Sequence, residues 1–428
     1  MIDPQAKARP YFRLMILVAI MGFVSAVVTF IFMAISNQLT DLVWDNAISI
    51  RGLEPWMFTL IVCTLGGLLV GILVRIFGDH EAIFFRLLQE FGKTGRFNYR
   101  NAPGILITAL VSLVAGGAVG PEAPLADACG GLGTLAADKL KLNDAETRVM
   151  GFGGISGMLA AFITNPFGGS LLALESAQGG ESGKKVYFWG LFPSLAASAV
   201  ATVTFVLLTG QFFARLYKFP TYSPSIIDLL WAVPLSIIGA IAGLVFMVLL
   251  TSLEKVMVRF KKRVILRGLI GGLGMGIIGA LLPLTLFSGE DQTVTLIKTA
   301  GEIGVVMLIV LAFSKLLATS LLLTTGWKGG YVFPIMFAGM ALGLACDQLL
   351  PGLPVSVTVA SVLAGALVAA LRAPLFSALF TLAFVEPSLA AVVAIAVLIS
   401  ALMVSYIALR QARKNQADAQ PVEAQTDQ

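Results

Sequence analysis

Histidine occurs once in this chain, at His80, and cysteine three times in 428 residues. A single imidazole excludes a metal centre built from several histidines. Cys63, Cys129 and Cys346 each lie in an apolar run without thiolate-cluster spacing, so they read as packing residues and no metal or other cofactor is expected. Charged residues are scarce, at 12%. The basic ones lack the interleaved stacking aromatics of a nucleic-acid surface, so no nucleic-acid partner is expected. The glycine pairs at 116–117 and 130–131 are followed by no Lys-Ser/Thr step, which excludes phosphate loops, and no zincin pattern occurs. Glu122 has no partner in sequence for an intramembrane hydrolase, so no enzyme site is expected.

What is abundant is apolar. Hydrophobic residues make up 57% of the chain and the mean hydropathy is +0.91, well beyond a soluble domain. A bilayer-spanning helix needs roughly 20 apolar residues. Segments 14–35, 56–74, 186–209, 226–250, 303–325 and 389–409 qualify. Pieces at 105–119, 125–137, 149–163 and 167–174 are too short to cross squarely and read as half-helices or tilted fragments. Basic residues cluster at Lys7, Arg9 and Arg13, at Lys255, Arg259, Lys261, Lys262, Arg263 and Arg267, and at Arg410, Arg413 and Lys414. By the positive-inside rule all three clusters, and with them both termini, are cytoplasmic. The net charge of +5 is thus a topology signal. The layout expected is a cytoplasmic segment 1–13, a first membrane repeat 14–210, a loop 211–225, a second membrane repeat 226–409, and a short disordered tail 410–428 with no room for a regulatory domain.

Two stretches interrupt apolar runs with glycines and a proline, at 116–124 and 326–334. Sliding the chain on itself by 210 residues sets Gly116 on Gly326, Gly120 on Gly330 and Pro124 on Pro334; a slide of 208 sets Gly157 on Gly365 and Pro166 on Pro374. Two ordered blocks at nearly one offset point to a duplication. Corresponding breaks in two halves mark a transporter with its site at the repeat interface. Whether the halves run parallel or inverted depends on their crossings, and the unequal basic loops favour inversion.

The first break holds Glu122, between Pro121 and Pro124 at the start of a new half-helix. Backbone N–H groups are unpaired there and the helix dipole is positive, so that end binds either the carboxylate or a permeating anion. Competition between them makes a gate that protonation would release; a fixed helix cap is the alternative. Asp127 is a candidate second protonatable relay, or a polar residue near water. Lys315 interrupts an apolar run and is expected to snorkel or pair with an acid. Lys328 could concentrate anions at a pore mouth, and His80 reads as a solvated loop residue.

The order Gly120-Pro121-Glu122-Ala123-Pro124, then Asn165-Pro166-Phe167-Gly168-Gly169 leading to Glu175, then Gly329-Gly330 before Pro334, then Arg372-Ala373-Pro374-Leu375, resembles the CLC family of chloride channels and proton-coupled anion antiporters. It looks like a divergent prokaryotic-type member. The resemblance implies an all-α integral membrane protein of two inverted-topology repeats of tilted and broken helices. It also implies a homodimer with one anion pathway per subunit, placed in the lipid bilayer of a bacterial inner membrane. By the same match Glu122 is the gating glutamate, and Gly120, Ala123, Gly330, Tyr331, Val332 and Phe333 line the anion site. Glu175 matches a family acid and is a candidate proton relay or a structural acid; Tyr406 is the candidate for the family's late pore tyrosine.

The departures are informative. Pro121 and Ala123 replace the family's basic residue and second glycine beside the glutamate. Residues 78–82, Gly78-Asp79-His80-Glu81-Ala82, occupy the region of the family's anion-coordinating serine, where an acid would repel an anion. Ser176 stands where antiporters commonly carry an internal glutamate, which tilts the reading toward passive conduction. The sequence therefore reads as a transporter of a small inorganic anion, chloride by default. The alternatives are a proton-coupled chloride or fluoride antiporter, and a non-conducting scaffold or intramembrane enzyme on a degenerate form of the fold.

Overall fold

The computed structural model describes residues 4–45, 53–80, 83–176, 186–210, 219, 222–223 and 225–426. Glu81 and most of the expected 211–225 loop lie outside the described residues. The first half contains α1 (Pro4–Trp44), α2 (Pro55–Phe77), α3 (Phe84–Thr94), α4 (Ala102–Val114), α5 (Glu122–Lys139), α6 (Asp144–Ile163), α7 (Pro166–Ser176) and α8 (Phe192–Thr209). The second contains α9 (Ile226–Met257), α10 (Val264–Leu281), α11 (Glu290–Ile303), α12 (Val305–Thr324), α13 (Val332–Leu349), α14 (Val355–Leu371), α15 (Pro374–Leu382) and α16 (Ala390–Thr426). The short helices α3 and α7 of the first half recur as the short helices α11 and α15 of the second. Among the described residues there is no β-strand.

The repeats are inverted, and their packing shows it. The equivalent helices α2 and α10 meet through glycines in a reciprocal way. A Cβ on Gly67 would lie 2.4 Å from the Gly268 carbonyl oxygen, and one on Gly268 would lie 2.6 Å from that of Gly67. Small residues let the two backbones close in lipid, where no hydrophobic drive pulls helices together. The equivalents α1 and α9 carry their basic clusters at opposite ends, at the start of α1 and at the end of α9. Basic clusters at opposite ends of equivalent helices are what an inverted repeat gives.

Eight helices among the described residues are long and apolar enough to cross a membrane. All six expected spans fall on helices. Two of these candidate spans escaped the sequence reading. Lys261, Lys262, Arg263 and Arg267 flank or enter α10, and its glycines dilute its hydropathy; α13 begins inside the second break. The 149–163 fragment is also longer than expected. The Asn143 side chain accepts from the Glu146 N–H (2.9 Å) and Glu146 accepts in return from the Asn143 N–H (3.1 Å), a capping box that starts α6 at Asp144. With 20 residues it is about 30 Å long, enough to span. The tail expected to be disordered continues α16 as helix to Thr426, through residues rich in alanine, glutamine and other good helix formers.

Helix α13 is the hub of the molecule. In its most apolar stretch 83% is buried inside the protein, against 22% for the stretch containing the start of α16, which faces outward. The second break therefore sits in the protein core rather than in lipid.

Candidate functional site

The two breaks meet. After α4, Gly116 takes a left-handed turn (φ +82°), and after α12 Gly326 does the same (φ +95°), a conformation that glycine adopts without a side-chain penalty. Both loops then run into an antiparallel bridge between equivalent residues. The Gly120 N–H donates to the Gly330 carbonyl at 2.9 Å and the Gly330 N–H to the Gly120 carbonyl at 2.5 Å. Reciprocal bonds between residues 210 apart place the pseudo-twofold axis between these glycines.

Backbone groups freed by the breaks find protein partners, as the bilayer interior requires. The Thr319 hydroxyl donates to the Ala118 carbonyl (2.7 Å), the Lys328 N–H to the Ser112 hydroxyl (3.1 Å), and the Phe287 N–H to the Gly116 carbonyl (3.1 Å). The first intrahelical bond of α5 is Leu125 N–H to Pro121, and that of α13 is Ile335 N–H to Tyr331. The N–H groups of Glu122 and Ala123, and of Val332 and Phe333, lie ahead of those bonds, and the third helical position is a proline with no N–H to orphan. Each half thus presents two backbone donors where the helices begin.

Glu122 occupies that place. It is 2% exposed, and its Oε1 accepts from the Phe333 N–H at 3.0 Å. The Val332 N–H and its own are also directed at the carboxylate. Its Oε2 is buried without a hydrogen-bond partner and lies against the bridged glycines. A Cβ at Gly120 or Gly330 would come within 2.0 or 2.1 Å of it. A carboxylate held at a helix start stands where an anion would bind. Around it the surface is apolar: the Phe333 ring is 4.9 Å from Phe162 and 5.8 Å from Phe380, and Tyr331 packs 5.2 Å from Phe246.

The expected anion-binding residues Gly120, Ala123, Gly330, Tyr331, Val332 and Phe333 come together here in unequal roles. Gly120 and Gly330 spend their N–H groups on each other, so their contribution is the absence of a side chain beside the carboxylate. Asp127 does not share the face of Glu122. Five residues along a helix is a rotation of about 140° and an advance of about 7.5 Å; its Oδ2 is buried without a hydrogen-bond partner, and its charge is close enough to that of Glu90 on α3 for the two to repel. Glu175 caps α15, accepting from the N–H groups of Leu375 (2.5 Å) and Phe376 (3.0 Å). The side chain of Ser176 lies outside the described residues. Tyr406 is 67% exposed on α16, which packs on α9, α14 and α15, so the structure does not bring it to Glu122.

Lys315 neither snorkels nor meets an acid in the way expected of it. Fully buried on α12, it donates to the carbonyls of Thr285 (3.0 Å), Leu286 (3.0 Å) and Phe287 (2.6 Å), with its ammonium over the Phe337 ring. Lys328 is buried as well and does not face a pore mouth as a lone charge. It donates to Asp79 Oδ1 at 3.0 Å and to the His80 carbonyl, while Arg267 holds Asp79 Oδ2. His80 is not simply solvated: its ring bonds the Phe77 carbonyl (2.8 Å) and Asn101 (3.2 Å). Asp79 follows α2, outside the spans. Burial opposes its ionisation, but Lys328 and Arg267 outweigh that and hold its carboxyl below the ordinary range. The acid expected to repel an anion is therefore neutralised.

Two residues of interest were missed. Glu290 opens α11 with Oε1 buried and its charge opposed by that of Glu122. The repeat carries the signal that would have found it, since an offset of 211 sets Gly289 on Gly78 and Glu290 on Asp79. Arg267 read as one more basic-loop residue, because nothing in sequence shows that the start of α10 packs against Asp79.

Comparison with known proteins agrees with this geometry. The chain is 26% identical over 362 residues to the putative ion-transport protein YfeO of Escherichia coli (strain 55989 / EAEC), covering 82% of this chain and 83% of that protein. Among solved structures, a slow cyanobacterial Cl−/H+ antiporter superposes with TM-score 0.80 at 18% identity, covering 92% of this chain and 95% of the other. A CLC-type fluoride/proton antiporter gives 0.76 at 18%, covering 91% and 95%. A eukaryotic CLC transporter gives 0.70 at 14%, covering 92% and 72%. The sequence pattern of the voltage gated chloride channel family matches residues 66–405. A match over that much of the chain, on this inverted repeat with its paired breaks, makes the protein a member of the CLC family, a family of ion channels and transporters rather than enzymes.

Proposed function

We propose that the protein passes a small inorganic anion, chloride by default, between the converging starts of α5 and α13, with Glu122 as a protonatable gate. One observation carries this reading: the Glu122 carboxylate accepts from the Phe333 N–H and fills the position an anion would take. Ionised, it holds that place through a charge-assisted bond worth about 1.5–3 kcal/mol. Protonated, it loses most of that attraction, and an anion competes successfully for the same donors. Chloride and the gate come from the family and the geometry together. The homodimer, the bacterial inner membrane and the cytoplasmic termini complete the reading from the resemblance and the basic clusters.

A second reading is proton-coupled exchange of chloride or fluoride. Glu290 favours it, because its buried carboxyl lies near enough to Glu122 for the two charges to repel, which adds a second acid close to the proposed gate. The structural neighbours described as Cl−/H+ and fluoride/proton antiporters add support by analogy.

Flux from liposomes containing the purified protein separates these readings. Chloride or fluoride efflux without proton movement supports conduction, and uphill proton uptake driven by an anion gradient supports exchange. A non-conducting scaffold gives neither. Glu122→Gln keeps the shape of the side chain and removes its charge; it is expected to change anion flux and flatten its pH dependence. Unchanged flux and pH response in that variant would remove Glu122 as the gate.

A further inference from the structure

Five cations crowd the short connection between α9 and α10. Lys255 lies in the last turn of α9, Arg259 in the 3-10 turn Val258–Phe260 that extends it, and Lys261, Lys262 and Arg263 make up the whole link to α10. All five are exposed. Among the described residues none of them enters an ion pair, and the acid beside them, Glu254, is held by Arg86 of α3 at 2.6 Å. Cations at the end of α9 suit its dipole, but those at the start of α10 oppose the dipole there, and no acid stands in the first turn of α10 to offset them. Helix electrostatics therefore does not account for the cluster.

Its position does suggest a partner. Both α9 and α10 are long and apolar enough to span a bilayer, so a link of three residues between them turns round at the membrane surface. Phosphate groups of the lipids lie at that level. Apolar side chains are interspersed with the cations and point away from the protein: Val256 is 47% exposed, Val258 66% and Leu266 37%. We propose that the α9–α10 hairpin binds the headgroup of an anionic phospholipid, its phosphate among Arg259, Lys261, Lys262 and Arg263 and its acyl chains against Val258 and Leu266. On the cytoplasmic side, as proposed above, the leaflet supplies such lipids, and each basic residue near its surface adds to the attraction. The site also reaches the second break. One turn into α10, Arg267 holds Asp79, and the next residue, Gly268, accepts at its carbonyl from the Trp327 indole N–H at 3.2 Å. A bound headgroup thus steadies the helix on which the second break rests.

Binding is tested on the full chain in detergent, by adding dioctanoyl phosphatidylglycerol and following the thermal unfolding midpoint, which a ligand of the folded state raises. Dioctanoyl phosphatidylcholine and sodium phosphate are expected to leave the midpoint where it is; an equal rise with either overturns the anionic lipid as occupant. Lys261→Gln with Lys262→Gln is expected to raise the half-saturating lipid concentration about tenfold or more. Lys139→Gln with Lys141→Gln, which removes two exposed charges after α5, is expected to leave it unchanged. A hairpin variant with the wild-type half-saturation, or equal weakening by both pairs, overturns the site. Hydrogen exchange on the wild-type chain needs no variant to fold. In nanodiscs of equal parts phosphatidylglycerol and phosphatidylcholine, amides 255–268 are expected to exchange more slowly than in phosphatidylcholine alone, and equal rates overturn the proposal. No readout depends on flux, so the site stands or falls apart from the transport reading.

Discussion

Gly330→Ala adds one methyl group at the point where the two halves of the chain meet. Built on the present backbone, that methyl carbon would lie 2.1 Å from Glu122 Oε2 and 2.7 Å from its Cδ. The carboxylate has to retreat by about 1.3 Å before the contact relaxes to an ordinary 3.4 Å. The Phe333 N–H bonds the other oxygen, Oε1, at 3.0 Å, and the carboxylate carbon must retreat as well, so the whole group is expected to leave the roughly 3.5 Å within which that bond holds. A charge-assisted bond of about 1.5–3 kcal/mol then disappears from the closed state, which corresponds to roughly a 10- to 100-fold shift toward displaced Glu122. The substitution should act as a wedge that opens the gate while leaving the acid in place. The assay is anion efflux from liposomes across a range of external pH. Gly330→Ala is expected to be faster than wild type at neutral pH and nearly flat with pH. Gly120→Ala, whose methyl would meet the same oxygen at 2.0 Å from the opposite side, should reproduce the effect. If both variants elute as folded protein and both keep the wild-type rate and pH profile, the carboxylate does not gate the route.

Two further substitutions separate structural charges from functional ones. Lys315→Met leaves the carbonyls of Thr285, Leu286 and Phe287 without their shared donor and should destabilise the protein by about 3–5 kcal/mol, read as a large fall in the unfolding midpoint in detergent; a midpoint within a degree of wild type would contradict the role as a backbone clamp. Glu175→Ala uncaps α15 and is expected to cost about 1–2 kcal/mol with the pH dependence of flux intact, whereas loss of proton movement at unchanged stability would restore Glu175 as a relay.

The amino-acid order announces the architecture more fully than it announces the site. Glycine and proline breaks in apolar runs are readable because lipid tolerates no unpaired backbone, and their recurrence at an offset of 210 residues is enough to single out Gly120 and Gly330. Glu122 is legible for the same reason. Helix α10 is not, since hydropathy averages over the glycines that let it pack on α2 and over the basic residues at its start. The partners of Asp79 are hidden because they lie 188 and 249 residues away, and charge pairing over such separations leaves no periodic trace. Lys315 shows the same limit in reverse. Its place in an apolar run can be read from its neighbours and suggested snorkelling or an acid partner, but the three carbonyls that receive it belong to a turn whose shape only the fold determines.

The bridge between Gly120 and Gly330 bears on how this molecule could complete a cycle. A rocking transporter exposes its cargo by parting one bundle from the other, so the seam between bundles must be slippery. Here the seam is stitched at its centre by two mutual backbone bonds and flanked by the interlocked glycines of α2 and α10. Parting the halves would strand those amides in a dry core, at a penalty incurred on every turnover. On the gate proposed above, the moving part would be a single side chain in a stationary frame, and the time scale to look for is that of rotamers and proton transfer rather than of domain rotation.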